Sequence, residues 1–476
     1  MKKVERKYLF LFVIFVLGLT SITLARTLPA YDYWWHTKAG EYMVLNKAIP
    51  YTDVFSWYGI ENSLYWHSHE WLTEVVLYLT DTIFGSTGAY IFCIVTSMLL
   101  MGGLVTLNGS HIKRNVRFAI VWFSLGILVF MPIITARPHM ISFLLLMFTM
   151  KALMKYRDDE NSKWVWSIPV ISMLWANFHG GSSNLPYVLT FLIVITGLFN
   201  FKLGRLAGSK LNKKQLKTLI IVGVLSIGAI AINPHGLDMI SYPYINMQDD
   251  FMLSIISEWR SPDLKNMNDI FIFIELFVIL LPLLLGKDEL DLTDLGFIGG
   301  LVYLTFKSIR FSVLLYIIST FIIFKYIPKS KDERDFKQFS VIFSVVGCLL
   351  FIPFLYTLKD VVNEPLRPVL SDNIVNVIKE KNPERLYNDY DFGGYLIYND
   401  IKVFVDGRAD MYSSYNLKDA INLSKLGTGV EEILDKYNFD LFVIYENSPL
   451  NYLLQNADEY NLVLSEDGVA IYETGK

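Results

Sequence analysis

Charge, cysteine and glycine-rich phosphate loops are the scarce features of this 476-residue chain. Only 18% of its residues are charged, against 53% hydrophobic and 15% aromatic. That balance excludes an ordinary soluble protein, and long apolar runs recur through residue 357. The two cysteines, Cys93 and Cys348, both lie inside apolar runs and read as buried helix thiols, which excludes a disulfide or cysteine–metal framework. No GxGxxG or Walker-type loop occurs, so nucleotide binding has no support. The net charge of −4 by itself decides nothing about nucleic acid, and no nucleic-acid partner is expected.

What is present is a series of apolar segments near the length of about 20 residues that a bilayer demands. They fall near 8–25, 87–107, 118–135, 139–155, 163–178, 184–200, 217–232, 269–286, 293–306, 309–327 and 338–357. The fold class expected is therefore a polytopic α-helical membrane protein with about 11 transmembrane helices. No small-x-small cleavage site stands out before Arg26, which favours a retained first span; Ala25 keeps a signal peptide open. Residues 26–70 form a first outside loop, and 70–84, EWLTEVVLYLTDTIF, an amphipathic interfacial helix whose Glu70, Glu74 and Asp81 share one face. Trp34 and Trp35 are expected at the water–lipid boundary.

Basic residues orient the spans. Lys2, Lys3, Arg6 and Lys7, then HIKRNVR (111–117), KYRDDENSK (155–163), FKLGRLAGSKLNKK (201–214) and KYIPKSKDERDFK (325–337) fall on one side, taken as cytoplasmic. GKDELDLTD (286–294) is an acidic exception on that side. The protein is expected in the plasma membrane, multi-pass, with its N-terminus cytoplasmic and its C-terminus outside. From 358 to 476 the composition turns polar and reads as a soluble extracytoplasmic α/β domain, following a transmembrane domain at 1–357. SDNIVNVIKEKN (371–382) and TGVEEILDKYN (428–438) have helical spacing; KVFVD (402–406) and LFVIYE (441–446) read as strands, and LVLSEDGVAIYE (462–473) as a hairpin.

The ionisable residues gather on one side of this layout. His36, His67, His69, His139, His179 and His235 fall outside, and only His111 inside. Arg137, Asn177, Asn233, Glu258, Arg260, Lys307 and Arg310 mark outer helix ends, and Glu275 sits inside a span. Such groups are costly in a membrane and mark a functional cavity, here one opening outward. The competing reading is structural. Asn177-x-His179-Gly180 and Asn233-x-His235-Gly236 end helices, where side chains cap orphan carbonyls. Arg137 and Arg310 either snorkel to headgroups or clamp a phosphate. His67-Ser68-His69-Glu70 with Asp32 or His36 offers oxygen and nitrogen donors for a divalent metal ion, unsupported by an HExxH, DxD or cysteine pair beside it.

One short inside terminus, one span, an acid in the first outside loop, an interfacial helix, many spans and an outside α/β domain resemble the GT-C-type membrane glycosyltransferases. That superfamily includes protein O-mannosyltransferases, lipid A aminoarabinose transferases and oligosaccharyltransferase catalytic subunits. Asp32 with WWHTKAGEYM, IPYTDVFSWYG (49–59), WHSHEWLTEVVLY (66–78), RPHMISF, WANFHGG, INPHGLD, EWRSP, NDYDFGGYLIY and VFVDGRAD look like an uncharacterised bacterial branch. The resemblance implies sugar transfer from a polyprenyl-phosphate-linked donor to an extracytoplasmic glycan, lipid or protein acceptor, with membrane lipid as surroundings. Asp32 matches the first-loop acid and is the expected general base, with Asp53 as runner-up. The other reading of Asp32 is an interfacial helix cap. Arg137 and Arg310 are then candidates for the phosphate; His36, His67, His69, Glu70, His139, Asn177, His179, His235 and Glu258 for sugar or acceptor. The sequence has Asp-Tyr where mannosyltransferases have Asp-Glu, and shows no second-loop DxD, which leaves metal dependence and donor class open. A lipid-linked glycan polymerase or ligase would carry a large late loop, and a transporter or flippase midplane charges.

Overall fold

The computed structural model describes residues 3–24, 31–85, 87–246, 248–249, 251, 256–267, 269–329, 334–363, 369–413 and 415–475. Lys2, the C-terminal end of the first predicted span, the 26–30 start of the first loop and 330–333 of the last basic loop lie outside the described residues. The chain divides into two compact units: Met1–Leu28, Tyr90–Gln248 and Leu253–Asn363 form one, and Pro29–Ala89, Asp249–Met252 and Glu364–Lys476 the other. The first outside loop and the amphipathic segment after it thus belong with the C-terminal segment.

Each of the eleven segments expected to span carries a helix, from α1 (Lys3–Leu24) to the long helix Arg334–Asn363, although residues 131–135 and 197–200 of two of them are not helical. Among the described residues two helical stretches, Thr87–Leu107 and Phe336–Tyr356, are long and apolar enough to cross a membrane; Val116–Phe130, Gly180–Thr196 and Ile270–Leu285 are shorter apolar helices. Phe15 of α1 packs edge-on against Phe343 at 4.9 Å, and Trp122 stacks on Tyr316 at 4.5 Å. Cys93 is buried as expected, but Cys348 is exposed, because it falls on the outward face of the Arg334–Asn363 helix.

Loops assigned to one side of the layout meet one another. Strands β1 (Phe201–Leu203), β2 (Leu206–Gly208) and β3 (Leu290–Asp291) make a small sheet that joins the 201–214 and 286–294 loops. The acidic exception in the second of those loops is neutralised there: Arg157 reaches Asp291 and Asp294, each at 2.7 Å, and Lys325 reaches Asp294 at 3.1 Å. On the opposite helix ends, Asn177 donates to the Ile232 carbonyl at 2.9 Å, and the Ile309 amide donates to the Arg260 carbonyl at 3.0 Å.

The second unit is α/β. Strands β4 (Leu386–Asn388), β5 (Leu441–Tyr445), β6 (Tyr460–Glu466) and β7 (Val469–Thr474) form a sheet of order β4-β5-β7-β6. β4 and β5 run parallel, and β6–β7 is the expected hairpin, with Asp467 and Gly468 both at positive φ, as a tight two-residue turn requires. Helices Asp372–Lys381 and Val430–Tyr437 lie where their spacing put them. KVFVD is a correction. Its residues 403–406 are buried, yet it extends no sheet, making only a bridge from Val403 to Ser56. Side-chain amides satisfy its backbone instead: Asn388 accepts from the Phe404 amide and donates to the Val405 carbonyl, and Asn416 donates to the Phe404 carbonyl.

Helices α2 (Tyr31–Asn46), α3 (Trp57–Glu61) and α4 (Trp71–Phe84) complete this unit. Trp34 and Trp35 are buried in it, not boundary anchors; Trp34 lies edge-on to Tyr395 and Tyr398 at 5.0 and 4.8 Å. The acidic face of α4 turns inward as well. Asp81 accepts hydrogen bonds from the Tyr33 and Tyr398 hydroxyls at 2.8 and 3.1 Å, while Leu79, Ile83 and Phe84 stay exposed.

Candidate functional site

Helical spacing assembles the main ionisable cluster, which lies wholly in the second unit. Asp32, His36 and Gly40 follow at i, i+4 and i+8 along α2, and Glu70 and Glu74 at i and i+4 at the start of α4, so each set shares one face. The two faces meet closely because position 40 is glycine: a Cβ there would collide with the Glu74 backbone. His36 Nε2 stands 3.6 Å from Glu70 and Nδ1 stands 3.4 Å from Glu74. His69 Nε2 is 3.1 Å from the other Glu70 oxygen, its Nδ1 is 2.9 Å from the His67 carbonyl, and Ser68 donates to Glu74 at 3.3 Å.

His36 and Glu74 are buried, and Glu74 meets the His36 ring and the Ser68 hydroxyl. Burial pushes the Glu74 carboxyl up, opposed by His36. Burial works against charge on His69, but the neighbouring Glu70 outweighs it and lifts the imidazole to about 9. One ligand atom from each of His36, Glu70 and Glu74 lies within 4.8 Å of the others, a mixed nitrogen–oxygen set that can hold a metal ion. Glu74 is the functional candidate that sequence reasoning missed. Its i, i+4 relation to Glu70 was visible, but a shared face does not say whether it turns to water or to protein.

Asp32 is partly exposed in the first turn of α2, where a carboxylate suits the positive helix end. It accepts from Trp35 Nε1 at 3.2 Å, and the Trp35 ring lies 3.7 Å from the His36 ring. Gly407, in the VFVDGRAD segment, leaves room for it; a Cβ at 407 would strike the Asp32 carboxylate. Asp53 is placed differently. It is buried, accepts from the Phe55 amide at 3.0 Å and from the Ser56 hydroxyl, and pairs with Arg408 at 2.7 Å. Arg408 also holds Asp406 through Nε and Nη2 at 2.8 and 2.6 Å, beneath Trp66 at 4.7 Å. His67 lies edge-on to Tyr65 at 5.7 Å.

The remaining candidates lie in the first unit. Arg137 pairs with Glu258 at 2.6 Å, and Arg310 covers the Trp259 ring at 5.3 Å. Burial pushes the Glu258 carboxyl up, but Arg137, Arg310 and His139 outweigh that and hold it at about 2. His139 contacts the Ile133 carbonyl at 2.9 Å. His179 is buried, with Nδ1 at 2.7 Å from Ser142 and 3.1 Å from Ser182. Asn177 donates to the Met173 carbonyl at 2.7 Å, and Asn233 donates to the Ile230 carbonyl and accepts from the His235 amide at 2.7 Å.

No protein-family model matches this chain, and no curated protein matches it by sequence. Among solved structures it is similar to the oligosaccharyltransferase of Archaeoglobus fulgidus in its apo form, at 10% identity and a TM-score of 0.54, over 91% of this chain and 69% of that one. It is also similar to the oligosaccharyltransferase AglB of that organism, in complex with an inhibitory peptide and a dolichol-phosphate. That match has 11% identity and a TM-score of 0.54, over 98% of this chain and 74% of the other. The chain therefore has an oligosaccharyltransferase-like fold, in agreement with the GT-C resemblance of its sequence.

Proposed function

We propose that this chain is a multi-pass membrane glycosyltransferase. It moves a sugar from a polyprenyl-phosphate-linked donor to an extracytoplasmic acceptor (a cell-envelope glycan, lipid or protein), with Asp32 as the general base. The observation that carries this reading is a fold likeness to oligosaccharyltransferases that runs through nearly the whole chain. A dolichol-phosphate bound to one of those enzymes supports a lipid-linked donor.

Asp32 is preferred to Asp53 because its carboxylate is partly exposed, whereas that of Asp53 is committed to Arg408 and the Ser56 turn. In the reaction the base takes a proton as an acceptor atom attacks the anomeric carbon. The bond from that carbon to the phosphate oxygen breaks, and the phosphate leaves with the electron pair. Arg137 and Arg310 suit the departing phosphate, Arg137 by giving up Glu258. A divalent ion among the first-loop histidines and carboxylates belongs to this reading and would supply Lewis-acid character there. The exposed Leu79, Ile83 and Phe84 of α4 suit an interfacial position.

The test is transfer by the purified protein supplied with a polyprenyl-phosphate sugar. Asp32→Asn should lower turnover by roughly 10²–10⁴-fold, the range for a positioned base, at unchanged membrane insertion. Product formation equal to the parent protein would remove Asp32 from the chemistry.

A further inference from the structure

The geometry points to a resident divalent transition metal, zinc foremost, held by one imidazole nitrogen of His36 and one carboxylate oxygen each of Glu70 and Glu74. This deepens the ion assignment above and rests on that assignment, but not on sugar transfer, since binding is measured without any substrate.

Three observations support it independently. The first is separation. A charge-assisted N–H···O contact closes to about 2.7–2.9 Å, but His36 stays 3.6 and 3.4 Å from its two carboxylates. One ligand atom from each of the three residues lies within 4.8 Å of the other two, a spacing that small side-chain rotations close onto one ion with metal–ligand bonds of about 2.1 Å. The second is charge. Glu74 is 1% exposed, and its side-chain partners are the His36 ring and the Ser68 hydroxyl, neither a permanent cation. A buried carboxylate needs a compensating charge, and a divalent ion supplies it.

The third is construction. Glycine at 40 brings the α4 backbone against α2 one turn beyond His36, so the ligands of two helices reach a common point. His69 stands beside the outer Glu70 oxygen, with its Nδ1 near the His67 carbonyl, an arrangement that orients a carboxylate ligand from outside the coordination sphere. Two oxygens and one nitrogen, without sulfur, suit zinc or manganese better than a site of oxygens alone, which magnesium and calcium prefer. Three protein ligands leave a fourth position open.

The test is metal content of the full-length protein purified in detergent, washed with a weak chelator and measured by mass spectrometry. About one zinc per chain is expected after reloading with zinc chloride, and much less retained magnesium after reloading with magnesium chloride. Glu70→Gln and His36→Gln should each weaken zinc binding by at least 10–100-fold, the range for losing even an orienting partner. Glu41→Gln, on the same helix but paired with Lys38, should keep it. A well-folded parent protein holding less than a tenth of an equivalent of zinc would overturn the proposal, whatever its variants do. So would Glu70→Gln and His36→Gln proteins that both retain full occupancy. Metal lost with transfer intact would leave the site standing and sink its part in transfer; metal bound in a protein with no transfer would sink the function alone.

Discussion

Replacing Arg408 by methionine isolates the strongest electrostatic commitment in the second unit. The guanidinium is buried between Asp53 and Asp406, at 2.7 and 2.6 Å, and both carboxylates are fully shielded from solvent. Tyr412 donates to the same Asp406 oxygen at 2.6 Å and accepts from Arg408 Nη2 at 2.9 Å. Methionine preserves much of the volume beneath Phe55 and Trp66 but leaves two buried carboxylates facing each other without a cation. Breaking a buried pair from one side costs about 3–5 kcal/mol. For a unit of roughly 150–250 residues each kcal/mol moves the midpoint by about 2–4 °C, so a fall of about 6–20 °C is expected. Tryptophan fluorescence during heating reads it directly, because Trp57 and Trp66 lie in this unit. Adding Asp53→Asn to Arg408→Met should recover part of the loss by removing one stranded charge, whereas two unrelated lesions would add. A midpoint within about 2 °C of the parent, or a double variant worse than either single by their sum, would refute the reading that Arg408 compensates both buried carboxylates.

Two further outcomes follow from particular residues. Burial lifts the Asp389 carboxyl to about 6, against the pull of the Tyr445 amide at 2.8 Å. Its protonated form therefore contributes stability that is full below about 3.9 and is lost as pH rises through about 6. Two pKa units correspond to about 3 kcal/mol, so Asp389→Asn should raise the melting midpoint at pH 8 and change it little at pH 4; an equal shift at both would refute this. Gly40→Ala should cost about 1–3 kcal/mol by forcing α4 off α2, and should lower zinc occupancy by the same displacement. A stable, fully loaded Gly40→Ala protein, measured by melting and metal content, would contradict the close approach.

The sequence told most where a pattern has one physical solution. Eleven apolar runs could only be helices, and Asp467-Gly468 between alternating residues could only be a tight hairpin turn. It told least where a pattern has two. KVFVD reads as a strand by composition, yet its buried backbone is satisfied by the amides of Asn388 and Asn416, which no local spacing announces. Trp34 and Trp35 have the chemistry of boundary anchors and equally of a core, and the partners that decide it, Tyr395 and Tyr398, are hundreds of residues away in sequence. The pairing of Asp53, the runner-up for the base, with Arg408 spans 355 residues and is invisible in a local window. Asn177 and Asn233 both donate to backbone carbonyls near their helix ends, a bond that a local window leaves as one of two readings.

That separation of 355 residues sets a timetable as well as a contact. At a synthesis rate of about 5–20 residues per second, Asp53 is made roughly 20–70 s before Arg408. Throughout that interval the first loop carries Asp53, Trp57 and Trp66 without the segment that later buries them. The nascent loop must therefore remain soluble and uncleaved with its future interior open to solvent. Its ordering waits until Arg408 has emerged, and proteolysis during slowed translation should find it before then.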